Sequence, residues 1–220
     1  MLKVSISEEL KEKCPELALG IICCDITNTA HNENLWIEIE REIVILKNSF
    51  TLENIKTKPE IAATRNAYKT TGKDPNRYRP SAEALCRRIL RNMELYQIST
   101  AVDLINLISI ASGFSIGGFD ADVVEGDVVA AIGMENEPFE AIGRGALNIG
   151  GMPVLRDATG AIGTPTSDVV RTSLRLESKR LYMNINAYRG RKSLFSTMDA
   201  AISCLKTYLC AENIESTIIG

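Results

Sequence analysis

Aromatic residues and histidine are scarce in this sequence. Phe, Trp and Tyr together make up 5% of the 220 residues, and His31 is the single histidine. Because His31 lies in the polar segment NTAHNEN without visible catalytic partners, both Ser-His-Asp catalysis and metal-assisted catalysis are disfavoured. Aliphatic side chains must therefore supply most of the core packing.

The six cysteines contain no C-x-x-C pair. Cys23 and Cys24 are adjacent in the apolar run LALGIICCDI, and neighbouring residues on a strand point to opposite faces. A structural zinc site needs about four clustered ligands, which this spacing does not offer. We therefore expect no metal and no cofactor, and we expect reduced, mostly buried cysteines.

Long apolar runs and nucleotide-binding loops are also missing. No stretch approaches the ~18 apolar residues that span a bilayer, and the first residues, MLKVSISEEL, lack the apolar segment of a signal peptide. The chain has no G-x-G-x-x-G after a strand pattern and no G-x-x-x-x-G-K-[ST]. We expect a cytoplasmic protein without a membrane partner, built as one domain over residues 1–220.

Charge is distributed unevenly along the chain. The formal net charge of −3 disfavours a generic nucleic-acid binder, and DNA is not an expected partner. Between Lys56 and Arg91, however, ten basic residues accompany three acidic ones, a local net charge of +7. This cluster is either a footprint for a polyanion or a solvated helical face. The candidates for contact with RNA phosphates are Arg65, Lys69, Lys73, Arg77, Arg79, Arg87 and Arg88.

Hydrophobic periodicity predicts a chain that changes character halfway. After an early buried strand in LALGIICCDI, helices are expected at residues 33–48, in PEIAATRNAYK, which begins at Pro59 and is ended by Gly72, and in AEALCRRILRN. The broadly apolar segment Thr100–Ser112 predicts a buried helix. From Ser115 onward, glycine-punctuated runs predict short strands, followed by a helix over Ser193–Cys210. We predict the α+β class, with mixed or antiparallel sheets packed against helices.

The segment GAIGTPTSDVVRT, residues 160–172, is too rigid for a linker and too polar for a core strand. Gly163 permits backbone conformations that other residues avoid, whereas Pro165 restricts the backbone. The Thr, Ser and Asp residues of the loop supply short polar side chains. The loop is either the wall of a binding pocket or a turn that satisfies its own backbone groups. Arg171 is expected to pair locally with Asp168.

A resemblance emerges from the order of four motifs. These are GKDPNRYRPSAEALCRRIL, AVDLINLISIASG, IGGFDADVVEGD and PVLRDATGAIGTPTSDVVRT. The sequence resembles free-standing B3/4-domain proteins, whose domain is the tRNA-editing module of the phenylalanyl-tRNA synthetase beta subunit. The resemblance covers roughly Arg65 to Tyr188 and leaves residues 1–58 outside its strongest part. It implies an α+β fold that receives the 3′ end of a mischarged tRNA and hydrolyses the wrong amino acid.

The same resemblance implies a set of pocket residues, with departures. VDLIN matches the V-D-x-T-N pattern at Asn106 but carries Ile105 where the synthetase has threonine. In SIGGFD, Gly117 stands in place of a histidine, and Asn184 aligns with a glutamate. No catalytic residue is therefore assigned. The pocket candidates are Asn106, Gly117, Gly118, Asp120, Gly163, Thr164, Pro165, Thr166, Ser167, Asp168 and Asn184.

Three functions are compatible with this reading. The first is binding of tRNA or aminoacyl-tRNA, extending to hydrolysis of mischarged esters in trans. The second is RNA binding without catalysis, and the third is a module for a small, amino-acid-like molecule that has lost RNA binding. In architecture, we expect the Thr100–Ser112 helix beside the Gly163–Asp168 loop, with Asn106 and Asp120 near one cavity. The sequence indicates no protein partner.

Overall fold

The computed structural model describes residues 2–220. In chain order its strands and helices are β1 (Val4–Ile6), α1 (Glu8–Lys13), β2 (Ala18–Asp25), α2 (Glu33–Ser49), α3 (Pro59–Thr71), α4 (Ser81–Leu90), α5 (Thr100–Ser112), β3 (Ser115–Asp120), β4 (Val128–Ile132), β5 (Glu140–Ala141), β6 (Gly145–Ala146), β7 (Pro153–Asp157), β8 (Gly160–Gly163), β9 (Arg180–Ala187), α6 (Lys192–Leu209) and β10 (Glu212–Ile219). The predicted α+β class, with mixed and antiparallel sheets packed against helices, is confirmed.

One four-stranded sheet, here called the central sheet, has the order β10-β2-β9-β3 and is antiparallel throughout. Strand β2 is buried on both faces because alternate residues enter different cores. Leu19 and Ile21 pack into the core that also holds the outer-sheet residues, whereas Ile22 and Cys24 pack against helices α2, α5 and α6. The apolar run LALGIICCDI has no polar alternation for this reason.

The second four-stranded sheet, here called the outer sheet, has the order β1-β4-β7-β8. Its pair β1–β4 is parallel, and its other two pairs are antiparallel. The inner faces of the two sheets enclose a core that includes Phe119, Val128, Val154 and Tyr182. The molecule is therefore layered as outer sheet, central sheet and helices, and the N-terminal strands β1 and β2 contribute one strand to each sheet.

The helix boundaries follow local sequence signals. Pro59 opens α3, and Gly72 ends it in a left-handed conformation with φ of 96°. The Ser99 hydroxyl accepts a hydrogen bond from the backbone N–H of Val102 at the start of α5, and Gly113 ends that helix with φ of 90°. The buried helix predicted over Thr100–Ser112 is confirmed.

One strand of the fold is not predicted by the sequence. Strand β10 was not expected after the last helix, because ENIESTII alternates too weakly to separate it from a polar tail. It pairs antiparallel with β2 as an edge strand.

Within residues 2–220, no helix is long and apolar enough to cross a membrane, and no group of three His, Cys, Asp or Glu side chains is arranged to hold a metal ion.

Candidate functional site

The Gly163–Asp168 loop is a turn stabilised by its own side chains. The Thr164 hydroxyl accepts hydrogen bonds from the backbone N–H groups of Thr166 and Ser167, both at 3.1 Å, and donates to the Ser167 carbonyl at 3.0 Å. The Ser167 hydroxyl donates to the Asp168 carbonyl at 3.4 Å. The conformation of the turn is therefore held by its own hydrogen bonds.

The inner side of this loop borders a very small cavity between the two sheets. Gly117, Gly163, Thr164, Pro165 and Asp168 line it, and its volume is about 10 Å³. The Phe119 ring occupies the adjoining space. It lies so close to Gly117 and Gly163 that a Cβ atom at either of these positions would be only 2.7 Å from Phe119 Cζ. The cavity has room for about one water molecule and not for an amino-acid side chain.

Asp168 is the carboxylate that lines this inner cavity. Its Oδ2 atom accepts a hydrogen bond from the backbone N–H of Gly118 at 3.3 Å. Burial raises the pKa of Asp168 to about 7, and the Gly118 contact opposes that shift only in part. Arg171 does not pair with Asp168 as expected; its guanidinium contacts the Asp157 carboxylate at 2.8 Å instead.

Two of the candidate residues line neither this inner cavity nor the groove around Asn106. Asn184 is fully buried between the sheets, where its Nδ2 donates to Asn186 Oδ1 at 3.0 Å. Asp120 Oδ2 accepts a hydrogen bond from the Ser178 hydroxyl at 2.6 Å. The expectation that Asp120 and Asn106 border one cavity is wrong, because Asp120 closes the end of β3 and lines neither the inner cavity nor the groove around Asn106.

Asn106 and Thr166 lie in an open groove on the other side of the loop. The groove has a volume of about 410 Å³ and is bordered by α4, by the segment that follows α4, and by the β5–β6 turn. We call it the arginine groove because five arginines line it, namely Arg79, Arg87, Arg88, Arg91 and Arg144.

Hydrogen bonds fix the loop against the helices that form this groove. The backbone N–H of Ser81, at the start of α4, donates to the Pro165 carbonyl at 2.7 Å. The hydroxyl groups of Tyr68 and Thr166 form a buried hydrogen bond of 2.8 Å. The GTPTSD loop is thus held by both α3 and α4, and its Thr166 side forms part of the groove wall.

A buried glutamate, Glu83, lies beside three of the arginines. Glu83 is 0% exposed, and its carboxylate lies 2.8 Å from Arg65, 2.7 Å from Arg87 and 3.7 Å from Arg79. The buried Nε–H of Arg79 has no hydrogen-bond partner among residues 2–220. Burial lowers the pKa of Arg79, and Glu83 opposes this shift. Because Glu83 carries one charge, the groove retains an excess of positive charge that a bound anion would balance.

The predicted phosphate contacts lie in four different environments. Arg79, Arg87 and Arg88 line the groove, and Lys69 and Arg77 are exposed outside it. Arg65 points inward to Glu83, Asn76 and the Pro75 carbonyl. Lys73 is not available to a phosphate, because its buried Nζ donates to the Gly150 carbonyl at 2.7 Å and to Asn148 at 3.2 Å.

Sequence reasoning did not select three residues of the groove. Arg91 lies within the basic stretch but was not chosen, and Tyr96 lies just beyond it. Arg144 comes from the turn between β5 and β6, more than fifty residues further along. The excess of basic residues could have signalled Arg91, whereas nothing local in the sequence signals Arg144.

Comparison with known protein families shows which family the chain belongs to. The model of the B3/4 domain matches residues 63–197. The chain belongs to the B3/4 domain family. Among solved structures, it is similar to an N-terminal fragment of the phenylalanyl-tRNA synthetase beta subunit from Pyrococcus horikoshii, with a TM-score of 0.46 and 14% identity. That alignment covers 99% of this chain and 50% of the other, so the chain spans about half the length of that fragment. Comparison with curated proteins gave no match.

Proposed function

We propose that this B3/4 domain binds tRNA or aminoacyl-tRNA in the arginine groove. The observation that carries the proposal is the convergence of five arginines on one groove beside Asn106 and Thr166. Arginine is well suited to phosphate because its planar guanidinium offers several donors in a fixed geometry. The resemblance of the groove-forming motifs to the tRNA-editing module supports RNA as the polyanion.

Arg91 and Arg144 are the clearest phosphate ligands. Both are exposed, and neither guanidinium forms a hydrogen bond or ion pair within residues 2–220. Arg87, in contrast, is engaged by Glu83 and by the Leu52 carbonyl at 3.0 Å. Substitution of Arg91 and Arg144 therefore tests RNA binding with little effect on the fold.

We propose that any ester hydrolysis by this protein is slow. The inner cavity has room for about one water molecule, so an amino-acid side chain attached to tRNA would have to lie in the open groove. The uncharged polar groups there, such as those of Ser81 and Asn106, can orient a water molecule or an ester but are not general bases. RNA binding without rapid turnover is the function that this geometry supports best.

The test is tRNA affinity as a function of salt concentration. We expect log affinity to fall with log salt by about 0.7 to 0.9 per neutralised phosphate. The double variant Arg91→Gln/Arg144→Gln should bind more weakly and have a slope smaller by about 1.5. The matched control is Lys192→Gln/Lys206→Gln, which removes two exposed charges from α6. Equal affinity and slope in the wild type and the arginine variant would contradict the proposal.

A further inference from the structure

A second open groove, here called the helical groove, lies among the helices that cover the central sheet. It is bordered by α2 and α6 and by α5, which packs against both of them. Its volume is about 530 Å³, and its apolar lining includes Ile45, Leu107, Ile108 and Ala200. Sites for small molecules have this size and are lined mainly by apolar side chains with a few polar groups. The helical groove shares no lining residue with the arginine groove.

The carboxylate of Glu42 borders the helical groove without a partner. Its side chain is half-buried on α2 and forms no hydrogen bond and no ion pair among residues 2–220. Burial raises the pKa of Glu42, and the positive charge of Lys58 opposes this shift. The Lys58 ammonium is itself engaged by the Ile110 and Ala111 carbonyls, at 2.7 and 2.8 Å. Glu42 thus presents a partly desolvated negative charge that a cation in the groove would balance.

Three hydroxyl groups of the helical groove can only accept further hydrogen bonds. The Ser112 hydroxyl donates its proton to the Ile108 carbonyl at 2.6 Å. The Ser196 and Thr197 hydroxyls both donate to the Ser193 carbonyl, at 3.1 and 2.9 Å. Since a hydroxyl group has a single proton, only lone pairs of these oxygens are available to a ligand.

The fold places these acceptors at one end of the helical groove. Ser115, just after α5, pairs with Asn186, just before α6, so the end of α5 and the start of α6 lie at the same edge of the central sheet. Glu42 belongs to the same end, because Lys58 acts on its carboxylate and also binds the last carbonyls of α5. The groove therefore combines an apolar body with an end that offers a carboxylate and hydroxyl lone pairs.

We propose that the helical groove binds a small amphiphilic amine, with its apolar part along α5 and its ammonium group on Glu42. The hydroxyl oxygens of Ser112 and Thr197 are further acceptors for the same group. An ammonium group has three donors and no acceptor, so it matches groups that can only accept. An anionic ligand of the same shape is repelled by Glu42. This site goes beyond tRNA binding and does not depend on it.

The experiment titrates the protein with n-hexylammonium, 1-hexanol and hexanoate, which share one apolar chain and differ in charge. Amide chemical shifts in two-dimensional NMR spectra report both affinity and location. We expect saturable binding of n-hexylammonium with the largest shifts in α5 and α6, binding of 1-hexanol weaker by about fivefold or more, and no binding of hexanoate. Absence of saturation by n-hexylammonium, or equal affinity for 1-hexanol, would overturn the proposal.

Variants test the role of each part of the helical groove. Glu42→Gln should weaken n-hexylammonium binding about tenfold, or about 1.4 kcal/mol, and leave 1-hexanol binding unchanged. Glu40→Gln is the matched control, because Glu40 is exposed on the same helix and does not line the groove. Ala200→Phe, at an exposed position of α6 that lines the groove, should block both ligands by filling the space.

Thermal melting establishes that each variant keeps its fold. Equal losses of affinity in Glu42→Gln and Glu40→Gln would show that the ammonium group does not bind at Glu42 and would overturn the proposal. Undiminished binding by Ala200→Phe would locate the ligand outside the helical groove and would also overturn it.

Discussion

At the scale of single residues, Asp168 links the stability of the loop to pH. Its pKa in the folded state is raised to about 7 by burial, whereas a carboxyl group in an unfolded chain titrates near pH 4. Between about pH 4 and pH 7 the folded protein therefore holds a proton that the unfolded chain has released. The stabilising contribution of this proton is complete below pH 4 and is lost as the pH rises through 7.

We predict that Asp168→Asn removes this dependence. Asparagine keeps the shape and an acceptor for the Gly118 N–H but cannot ionise. At pH 8 the variant should have a free energy of unfolding about 2 kcal/mol above that of the wild type, and near pH 4 the two should be nearly equal. Urea unfolding at several pH values measures the difference. The control Asp127→Asn, at an exposed carboxylate paired with Lys3, should lack this trend. A constant difference across pH would contradict the assignment.

At the scale of elements, helix α4 is both a wall of the groove and a buried charge cluster. Glu83 lies on its inner side and contacts Arg87 on the same helix and Arg65 on α3. These ion pairs are largely removed from solvent, so their loss leaves buried arginines without a counter-charge. The basic stretch seen in the sequence therefore contains arginines that pair with Glu83 inside the fold, and also Arg91, just after α4, whose guanidinium has no such partner among residues 2–220.

We predict that Glu83→Gln lowers the free energy of unfolding by about 3 kcal/mol, because two or three arginines lose their buried partner. Denaturant unfolding at neutral pH measures this change. Glu38→Gln is the matched control: Glu38 forms an ion pair with Arg41 that is open to solvent, and its loss should cost less than about 1 kcal/mol. Similar losses in the two variants would show that the Glu83 cluster has no special structural role.

At the scale of the whole molecule, the region before the matched family segment completes both sheets. Strand β1 lies at the edge of the outer sheet, and β2 lies between β10 and β9 in the central sheet. Both faces of β2 are buried, in two different cores. Residues 2–58 therefore contribute to packing on both sides of the central sheet, although the strongest resemblance excludes them.

We predict that a fragment of residues 59–220 does not fold by itself. Without β2, strand β9 would expose an unpaired edge and two cores would lose a shared layer. Circular dichroism and a thermal melt of the fragment measure this outcome. The control is residues 1–211, which lacks only the edge strand β10 and should melt cooperatively at a lower temperature. A cooperative transition in the 59–220 fragment would contradict the prediction that residues 1–220 form one domain.

The sequence determined what depends on local chemistry. Pro59, Ser99 and Gly113 define helix ends through backbone geometry and capping, and these interactions involve residues only a few positions apart. The α+β class and the family follow from the order of such elements and motifs. The GTPTSD turn was also anticipated as one of two alternatives, because the Thr164 hydroxyl bonds to its own neighbours.

Only the tertiary structure decided which charged and polar groups are free. Lys73 and Arg87 belong to one basic stretch, yet one donates to a buried carbonyl of a distant loop and the other borders the groove beside Arg144. The Phe119 ring fills the space next to Gly117 and Gly163 because separate strands bring the two glycines together. The physical reason is the same in each case: the partner that buries, neutralises or exposes a side chain comes from a remote part of the chain, and periodicity in the sequence carries no information about it.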